Sequence, residues 1–350
     1  MYRPPDDMYE PPPDDFEDQE PTLRRSRVRS TQRNTQLQQL QRLRAWLQSL
    51  AARLSTGLQH ARDNLRAKGP LIPNVQRVQG RGMSGGISGG VGAWASAQLR
   101  EFVAGLRFLT ILSVPGSARL FHTDRVETHL PTGSAYFPII GLLLVVALWL
   151  LLLILGPFLP IPALTALLVV ALLVLTGGLH LDGLMDTCDG VFGGATREDK
   201  LEIMRDSRVG SFGVLGAASI LLLKFAFLSS LTARHLAPAI FVALPAARAA
   251  VILVAGIFPA ARLNGLGAAF RQTVTPPRLL FALITSLIIA VLAGHLAGFI
   301  AWLGSLLVAV LIGFGITRSI GGLTGDNYGA ILETAEVAAL LIIILLRSWL

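Results

Sequence analysis

Three aspartates in the segment LTGGLHLDGLMDTCDGVFGG (residues 175–194) are spaced as ligands of one metal ion would be. Asp182, Asp186 and Asp189 follow one another at steps of four and three, so on a helix their carboxylates share one face. Three negative charges on one face repel each other, and a divalent cation reverses that cost. Mg²⁺ prefers carboxylate oxygens and keeps positions free for water and phosphate oxygens. The spacing therefore predicts a helix that binds Mg²⁺ through these three residues.

A second group of charges follows on a short helix, which Thr196 should cap together with Asp199. Asp206 lies between Arg205 and Arg208. Carboxylates mixed with guanidinium groups suit a metal-bound diphosphate, because arginine binds phosphate oxygens in a bidentate manner. We therefore expect Asp206 to be a further metal ligand, and Arg205 and Arg208 to bind the substrate.

Two more polar residues are candidates for the same site. His180 directly precedes the aspartates, and it suits either a general base or a partner that orients another group. Asp326 lies in the turn-like segment GGLTGDN, and we expect it to bind substrate at the same site. The glycines around the aspartates would let a bulky ligand approach the backbone closely.

Four charged residues fall inside or at the ends of apolar runs. An arginine within a membrane is costly, so Arg248 predicts an anionic ligand or an aspartate partner, and we expect it to bind substrate. Glu333 and Glu336 begin the last run, where they would complement the dipole of a helix. Lys224 is expected to extend its amine towards the membrane surface.

The elements that position these residues are predicted to be membrane spans. The chain of 350 residues is 52% hydrophobic and 15% charged, with a mean hydropathy of +0.58, which is too apolar for a soluble domain of this size. We predict an all-α, polytopic membrane protein with about seven transmembrane helices. The spans are placed at about 136–158, 161–178, 211–232, 238–258, 279–296, 299–317 and 330–346. Gly294-His295 and Gly298 separate the fifth from the sixth.

Residues 1–97 differ in composition from the membrane domain predicted for 98–350. Residues 1–35 are rich in proline and charge and are expected to be disordered. Residues 36–68 form a basic amphipathic helix, suited either to a coiled coil or surface contact or to an anionic lipid leaflet. Residues 69–95 are a Gly/Ser linker. Much of the net charge of +8 comes from this arm, so it does not indicate a nucleic-acid-binding domain.

Basic residues are concentrated in alternate loops, which predicts the orientation of the chain. With the N-terminus inside, the loops at 179–210, 259–278 and 318–329 all carry arginines and all lie in the cytoplasm. We therefore expect a multi-pass protein of the cytoplasmic (inner) membrane, with its active-site loops facing the cytoplasm.

Several of these motifs, in this order, resemble the cobalamin synthases, which are adenosylcobinamide-GDP ribazoletransferases. The resemblance runs from about residue 98 to the C-terminus. Its usual DTADG is DTCDG here (186–190), which leaves both carboxylates in place. The motifs are FLTILSVPG (108–116), AYFPIIG (135–141), GGLHLDGLMDTCDGVFGG, EIMRDSRVGSFGVLG and GGLTGDNYGA.

The resemblance implies an Mg²⁺-dependent membrane transferase that completes the nucleotide loop of cobalamin. α-Ribazole, or its 5′-phosphate, attacks adenosylcobinamide-GDP through its ribose 3′-hydroxyl. GMP leaves, and adenosylcobalamin or its 5′-phosphate forms. Membrane lipid is a further expected partner and nucleic acid is not, while a homo-oligomer is left open.

Two other functions are considered. A CDP-alcohol phosphotransferase, a phospholipid synthase, also carries Asp-x-x-Asp-Gly on a membrane helix, but the rest of that motif is absent here. An ion-coupled transporter would use buried carboxylates near the bilayer midplane and two repeated halves. The aspartates here lie at the ends of predicted spans, and no internal repeat is visible.

Overall fold

The computed structural model describes residues 87–112, 133–262 and 265–347, with the backbone alone for 87–93 and 266. The predicted disorder at 1–35 and the amphipathic helix at 36–68 lie outside the described residues. The described ranges form a 3₁₀ helix (Ser134–Tyr136) and ten α-helices: α1 (Ile87–Leu109), α2 (Phe137–Leu155), α3 (Ile161–Leu175), α4 (Leu179–Gly193), α5 (Arg197–Ile203), α6 (Ser211–Ser229), α7 (Ala233–Ile257), α8 (Leu266–Thr273), α9 (Pro276–Ile320) and α10 (Gly325–Leu345).

The helices confirm an all-α membrane protein. Five described segments are long and apolar enough to cross a bilayer: Ser134–Leu155, α6, α7, α9 and α10. A sixth results if α3 and α4 count as one broken span. At 1.5 Å per residue, α9 would be about 68 Å long, roughly twice the hydrocarbon thickness. Its backbone breaks at His295, with φ 47° and ψ −130°, so the predicted separation of two spans at this point is confirmed.

The second predicted span, 161–178, is shorter than expected because the chain turns sharply. α3 ends at Leu175 and α4 begins at Leu179, with their axes bent by 87°. Gly177 and Gly178 make the turn with φ of 62° and 69°, a region that favours glycine. These two glycines therefore redirect the chain, so that α4 carries the aspartates away from the direction of α3.

The core of the bundle surrounds α7. This helix packs against α2, α9 and α10. Most of its alanines, among them Ala239, Ala243 and Ala250, are fully buried. Small side chains let neighbouring helices approach closely, which is how helices in membranes commonly associate.

The predicted linker is partly helical. α1 runs from Ile87 to Leu109, so residues 87–95 of the predicted linker are helical and continuous with the start of the predicted membrane domain. Within α1, the buried side chains of Val103, Leu106 and Leu109 join the core.

Candidate active site

α4 and α10 cross where two glycines allow their backbones to touch. A Cβ added at Gly183 would lie 2.7 Å from the carbonyl oxygen of Asp326, and one at Gly329 would lie 2.7 Å from that of His180. The glycines around the aspartates were expected to admit a ligand, but the space beside Gly183 is filled by α10. The crossing brings Asp182 on α4 close to Asp326 on α10, and each carboxylate adds to the local negative charge.

The first turn of α10 is fixed against α4 by a polar contact. Thr324 and Asn327 form a capping box at the start of α10. The side-chain amide of Asn327, which is fully buried, donates to Oγ1 of Thr187 on α4 at 2.9 Å. The hydroxyl of Thr324 donates to Oδ2 of Asp326 at 3.2 Å. These contacts hold the Asp326 carboxylate in place beside α4.

The predicted helix that carries three aspartates is α4, and its acidic character extends to α10. Among the charges that act on the Asp186 carboxylate, that of Asp182 has the largest effect, followed by those of Asp326 and Asp189. All are negative, so a cation placed among them would be strongly stabilised. No three acidic, histidine or cysteine side chains of the described residues converge closely enough to hold a metal ion by themselves.

Asp189 differs from the other two aspartates because its carboxylate is buried and already hydrogen-bonded. Its Oδ2 accepts the backbone N–H of Gly210, and its Oδ1 accepts that of Gly213, each at 2.8 Å. Gly210 is the N-cap of α6 and Gly213 lies in its first turn. Asp189 thus caps α6 from another helix and satisfies N–H groups that have no partner within α6. This role of Asp189 was not predicted from the sequence. The signal for it was the absence of a capping side chain directly before Ser211, where Gly210 stands.

The charges after α5 lie at the surface and pair locally. Thr196 and Asp199 form the predicted capping box of α5. Arg208 donates to both carboxylate oxygens of Asp206, with the shortest distance 2.7 Å, and 88% of the Arg208 side chain is exposed. These hydrogen bonds hold the pKa of Asp206 below its usual range. Asp206, a predicted metal ligand, and Arg208, a predicted substrate ligand, therefore bind each other in this structure.

A cavity of about 440 Å³ opens beside the crossing of α4 and α10. Among the predicted site residues, His180, Asp182 and Asp326 line it. The cavity wall does not include Asp186, Asp189, Arg205, Asp206, Arg208 or Arg248. The structure therefore brings together the beginning of the α4 acidic face and the first turn of α10, and it leaves the arginines after α5 outside this wall.

Two arginines that were not assigned to the site also line the cavity, Arg107 on α1 and Arg262 after α7. Arg262 donates to the carbonyl oxygen of Leu201 at 2.6 Å. Burial and the neighbouring Arg205 lower the pKa of Arg262, whereas Asp326 raises it. Arg262 could have been found from the sequence, because it lies in the basic loop 259–278, which is predicted on the same side of the membrane as the aspartates.

Arg248 belongs to a buried ion cluster, not to the cavity. Its guanidinium donates to Oε1 of Glu336 at 2.5 Å and to the carbonyl oxygen of Leu244 at 3.0 Å. The Lys224 ammonium contacts Glu333 and Glu336, each at 2.5 Å. The expectations that the glutamates complement a helix dipole and that Lys224 reaches the membrane surface are therefore wrong. Each charge is instead paired with an opposite charge across α6, α7 and α10, and the acidic partner of Arg248 is a glutamate.

Sequence comparisons match this chain to one family of known proteins. Residues 101–344 match the family model described as Cobalamin-5-phosphate synthase. The chain is 43% identical over 244 residues to the adenosylcobinamide-GDP ribazoletransferase of Roseiflexus sp. (strain RS-1). The aligned region covers 67% of this chain and 85% of that relative. The enzyme of the same name from Desulfitobacterium hafniense (strain Y51) is 40% identical over 253 residues, 69% of this chain and 96% of its own.

A third relative of that name, from Klebsiella pneumoniae (strain 342), is 36% identical over 245 residues, 69% of this chain and 98% of its own. No solved structure matches the chain. Neither the phospholipid synthase nor the ion-coupled transporter is favoured by these matches. The chain belongs to the cobalamin-5-phosphate synthase family.

Proposed function

We propose that this protein transfers the adenosylcobinamide phosphate moiety of adenosylcobinamide-GDP to α-ribazole or α-ribazole 5′-phosphate. GMP is released, and adenosylcobalamin or its 5′-phosphate completes the nucleotide loop. Membership of the family and the names of the relatives support the reaction. The structural observation that carries the proposal is the meeting of Asp182 and Asp326 at the wall of one cavity.

The reaction replaces a phosphoanhydride bond with a phosphoester bond. The ribose 3′-oxygen attacks the phosphorus that bears the cobinamide, and the bond from that phosphorus to the oxygen of GMP breaks. The hydroxyl proton needs an acceptor within hydrogen-bond reach. Asp182 and His180 both line the cavity and are the two acceptors that we propose. Such a transfer depends mainly on positioning and on neutralising phosphate charge.

The chemistry of the acidic group fits Mg²⁺. This ion commonly takes one or two protein carboxylates and completes its shell with water and substrate phosphates, so a full protein cage is not required. Asp182, Asp186 and Asp326 would hold it, and when bound it would neutralise the diphosphate and polarise the attacked phosphorus. Both Asp189 oxygens accept backbone N–H groups, so we assign Asp189 to positioning α6.

The remaining arginines supply positive charge for the anionic substrate. We assign Arg107 and Arg262 to phosphate groups inside the cavity, which they both line. Arg205 and Arg208 remain our proposed ligands for the diphosphate nearer the surface, where phosphate would take the place of Asp206 beside Arg208. The basic loops support a cytoplasmic orientation of this site in the inner membrane.

The test is product formation by the purified full-length protein. Given adenosylcobinamide-GDP, α-ribazole and Mg²⁺, the protein should release GMP and form adenosylcobalamin in equal amounts. Omission of α-ribazole should abolish both products. GMP release that does not depend on α-ribazole would indicate hydrolysis and would contradict the proposed transfer.

A further inference from the structure

One part of the cavity wall is built from aromatic rings. Phe108 on α1, Phe137 on α2 and Phe270 on α8 lie nearly parallel. The ring centroids are 5.8 Å apart for Phe108 and Phe137, 5.7 Å for Phe108 and Phe270, and 5.3 Å for Phe137 and Phe270. Tyr328 on α10 contacts Phe270 edge-on at 5.2 Å. All four rings line the cavity, and we call them the aromatic wall. Phe108 is half-buried, whereas Phe137, Phe270 and Tyr328 are buried.

The charged groups of the cavity come partly from the elements that carry the rings and partly from other elements. Arg107 directly precedes Phe108 on α1, and Asp326 lies two residues before Tyr328 on α10, whereas Asp182 lies on α4 and Arg262 follows α7. The cavity therefore combines an apolar, aromatic part with a part that carries charge. A ligand that fits both needs a flat apolar ring at one end and polar or anionic groups at the other.

Size decides which substrate could be enclosed. A cavity of about 440 Å³ lies in the lower half of the range, roughly 300–1,000 Å³, that encloses drug-sized ligands. The corrin macrocycle of adenosylcobinamide-GDP is much larger than such a ligand, whereas a nucleoside is of that size. The smaller of the two substrates is therefore the better match.

We propose that the aromatic wall binds the benzimidazole ring of α-ribazole and directs its ribose towards Asp182 and Asp326. This assignment rests on the proposed function. Benzimidazole is flat and largely apolar, so stacking and burial contribute most of its binding energy. Guanine, the base of the other substrate, carries several hydrogen-bonding groups, and their burial against phenylalanine rings would be costly.

The experiment compares two phenylalanines of the same helix in the full-length protein. Phe108→Leu removes a ring of the aromatic wall. Phe102→Leu removes a ring of similar burial that packs against Tyr136 and does not line the cavity. Stacking on an aromatic side chain contributes to the binding of a flat base, so Phe108→Leu should raise the KM for α-ribazole roughly tenfold, which corresponds to about 1.4 kcal/mol. The KM for adenosylcobinamide-GDP and the rate at saturating α-ribazole should stay within twofold of wild type.

A second variant and a second ligand keep the test decisive. Phe270→Leu removes a fully buried ring that supports Phe108 and Phe137, and it should raise the KM for α-ribazole in the same direction. Phe102→Leu should leave both KM values unchanged. Direct titration of α-ribazole without the second substrate should show the same loss of affinity. A rise in the KM for adenosylcobinamide-GDP alone would place the guanosine there instead. Unchanged KM values in both wall variants would overturn the assignment, and absence of GMP release from wild type would contradict the proposed function itself.

Discussion

At the residue scale, the aspartates of α4 share a spacing but not an environment. Asp186 faces other carboxylates, whereas both oxygens of Asp189 accept backbone N–H groups at the start of α6. The sequence pattern predicted the shared face. The pattern could not show that Asp189 has a different role from Asp186, because the N–H groups that bind Asp189 belong to residues more than twenty positions further along the chain.

This difference predicts two distinct outcomes for the same substitution. Asp186→Asn should abolish GMP release and leave the thermal stability unchanged, because it removes a charge from the proposed metal site only. Asp189→Asn retains one acceptor oxygen and sets an amide N–H against a backbone N–H. It should lower the free energy of unfolding by about 1–3 kcal/mol.

Thermal unfolding in detergent and GMP release, measured on both variants, test this separation. Glu198→Gln, at an exposed surface position, serves as a control for loss of one negative charge. Near wild-type turnover of Asp186→Asn at saturating substrate would remove it from the site. Full stability of Asp189→Asn would show that its hydrogen bonds do not anchor α6.

The buried ion cluster gives a second prediction at this scale. Glu336 pairs with both Arg248 and Lys224, whereas Glu333 pairs with Lys224 alone. Removing one partner of a buried pair leaves an uncompensated charge and costs about 3–5 kcal/mol. Glu336→Gln should therefore destabilise the protein by about this amount. Glu333→Gln should have a smaller effect, because Lys224 would still form its ion pair with Glu336.

Unfolding temperatures of the two variants in the same detergent compare these costs. Glu198→Gln, the same exchange at an exposed position of α5, is a matched control. Equal destabilisation by the two glutamine variants would contradict the pairing seen in the structure.

At the element scale, the site depends on how closely α4 and α10 approach. A Cβ at Gly183 would meet the backbone of Asp326, which cannot move aside as a flexible side chain would. Gly183→Ala should therefore force the helices apart, cost about 1–3 kcal/mol and strongly reduce turnover. Gly329→Ala should act in the same way from the opposite helix.

Gly315→Ala on α9 is the control, because nothing lies within 4 Å of its added Cβ. There the exchange should be neutral or stabilising by about 0.5–1 kcal/mol, as alanine favours a helix more than glycine does. GMP release and unfolding temperature are measured for all three variants. Wild-type values for Gly183→Ala would show that the crossing is not tightly packed.

Helix positions were predictable from sequence because apolar runs and breaks are local. The break at His295 and the capping box at Thr196 both follow from neighbouring residues, and both are confirmed. The right-angled turn at Gly177 and Gly178 was missed, since an apolar run does not reveal a change of direction within it. Pairings such as Arg248 with Glu336 depend on which helices become neighbours, and no single stretch of sequence contains that information.

At the scale of the whole molecule, the predicted orientation places the site on the cytoplasmic side. A single cysteine introduced at Glu198, Gln272 or Arg318 should react with a membrane-impermeant maleimide only from the cytoplasm. One at Ala233, the first residue of α7, should react only from the other side. All four positions are exposed, and Cys188 is first replaced by alanine.

Labelling of intact cells and of inverted vesicles gives the two accessibilities. The Cys188→Ala parent without a new cysteine is the control for background labelling. Reaction of Glu198→Cys from outside, or of Ala233→Cys from the cytoplasm, would contradict the orientation.

The central claim is that carboxylates at the crossing of α4 and α10 hold a metal ion that the transfer requires. It is tested most directly by measuring GMP release from the purified protein after removal of metal with EDTA and stepwise return of Mg²⁺. Wild type should lose its activity with EDTA and recover it with Mg²⁺. Asp182→Asn should stay inactive or need far more Mg²⁺ for half of its maximal rate. An undiminished rate after metal removal, or the same Mg²⁺ dependence in Asp182→Asn as in wild type, would contradict the account.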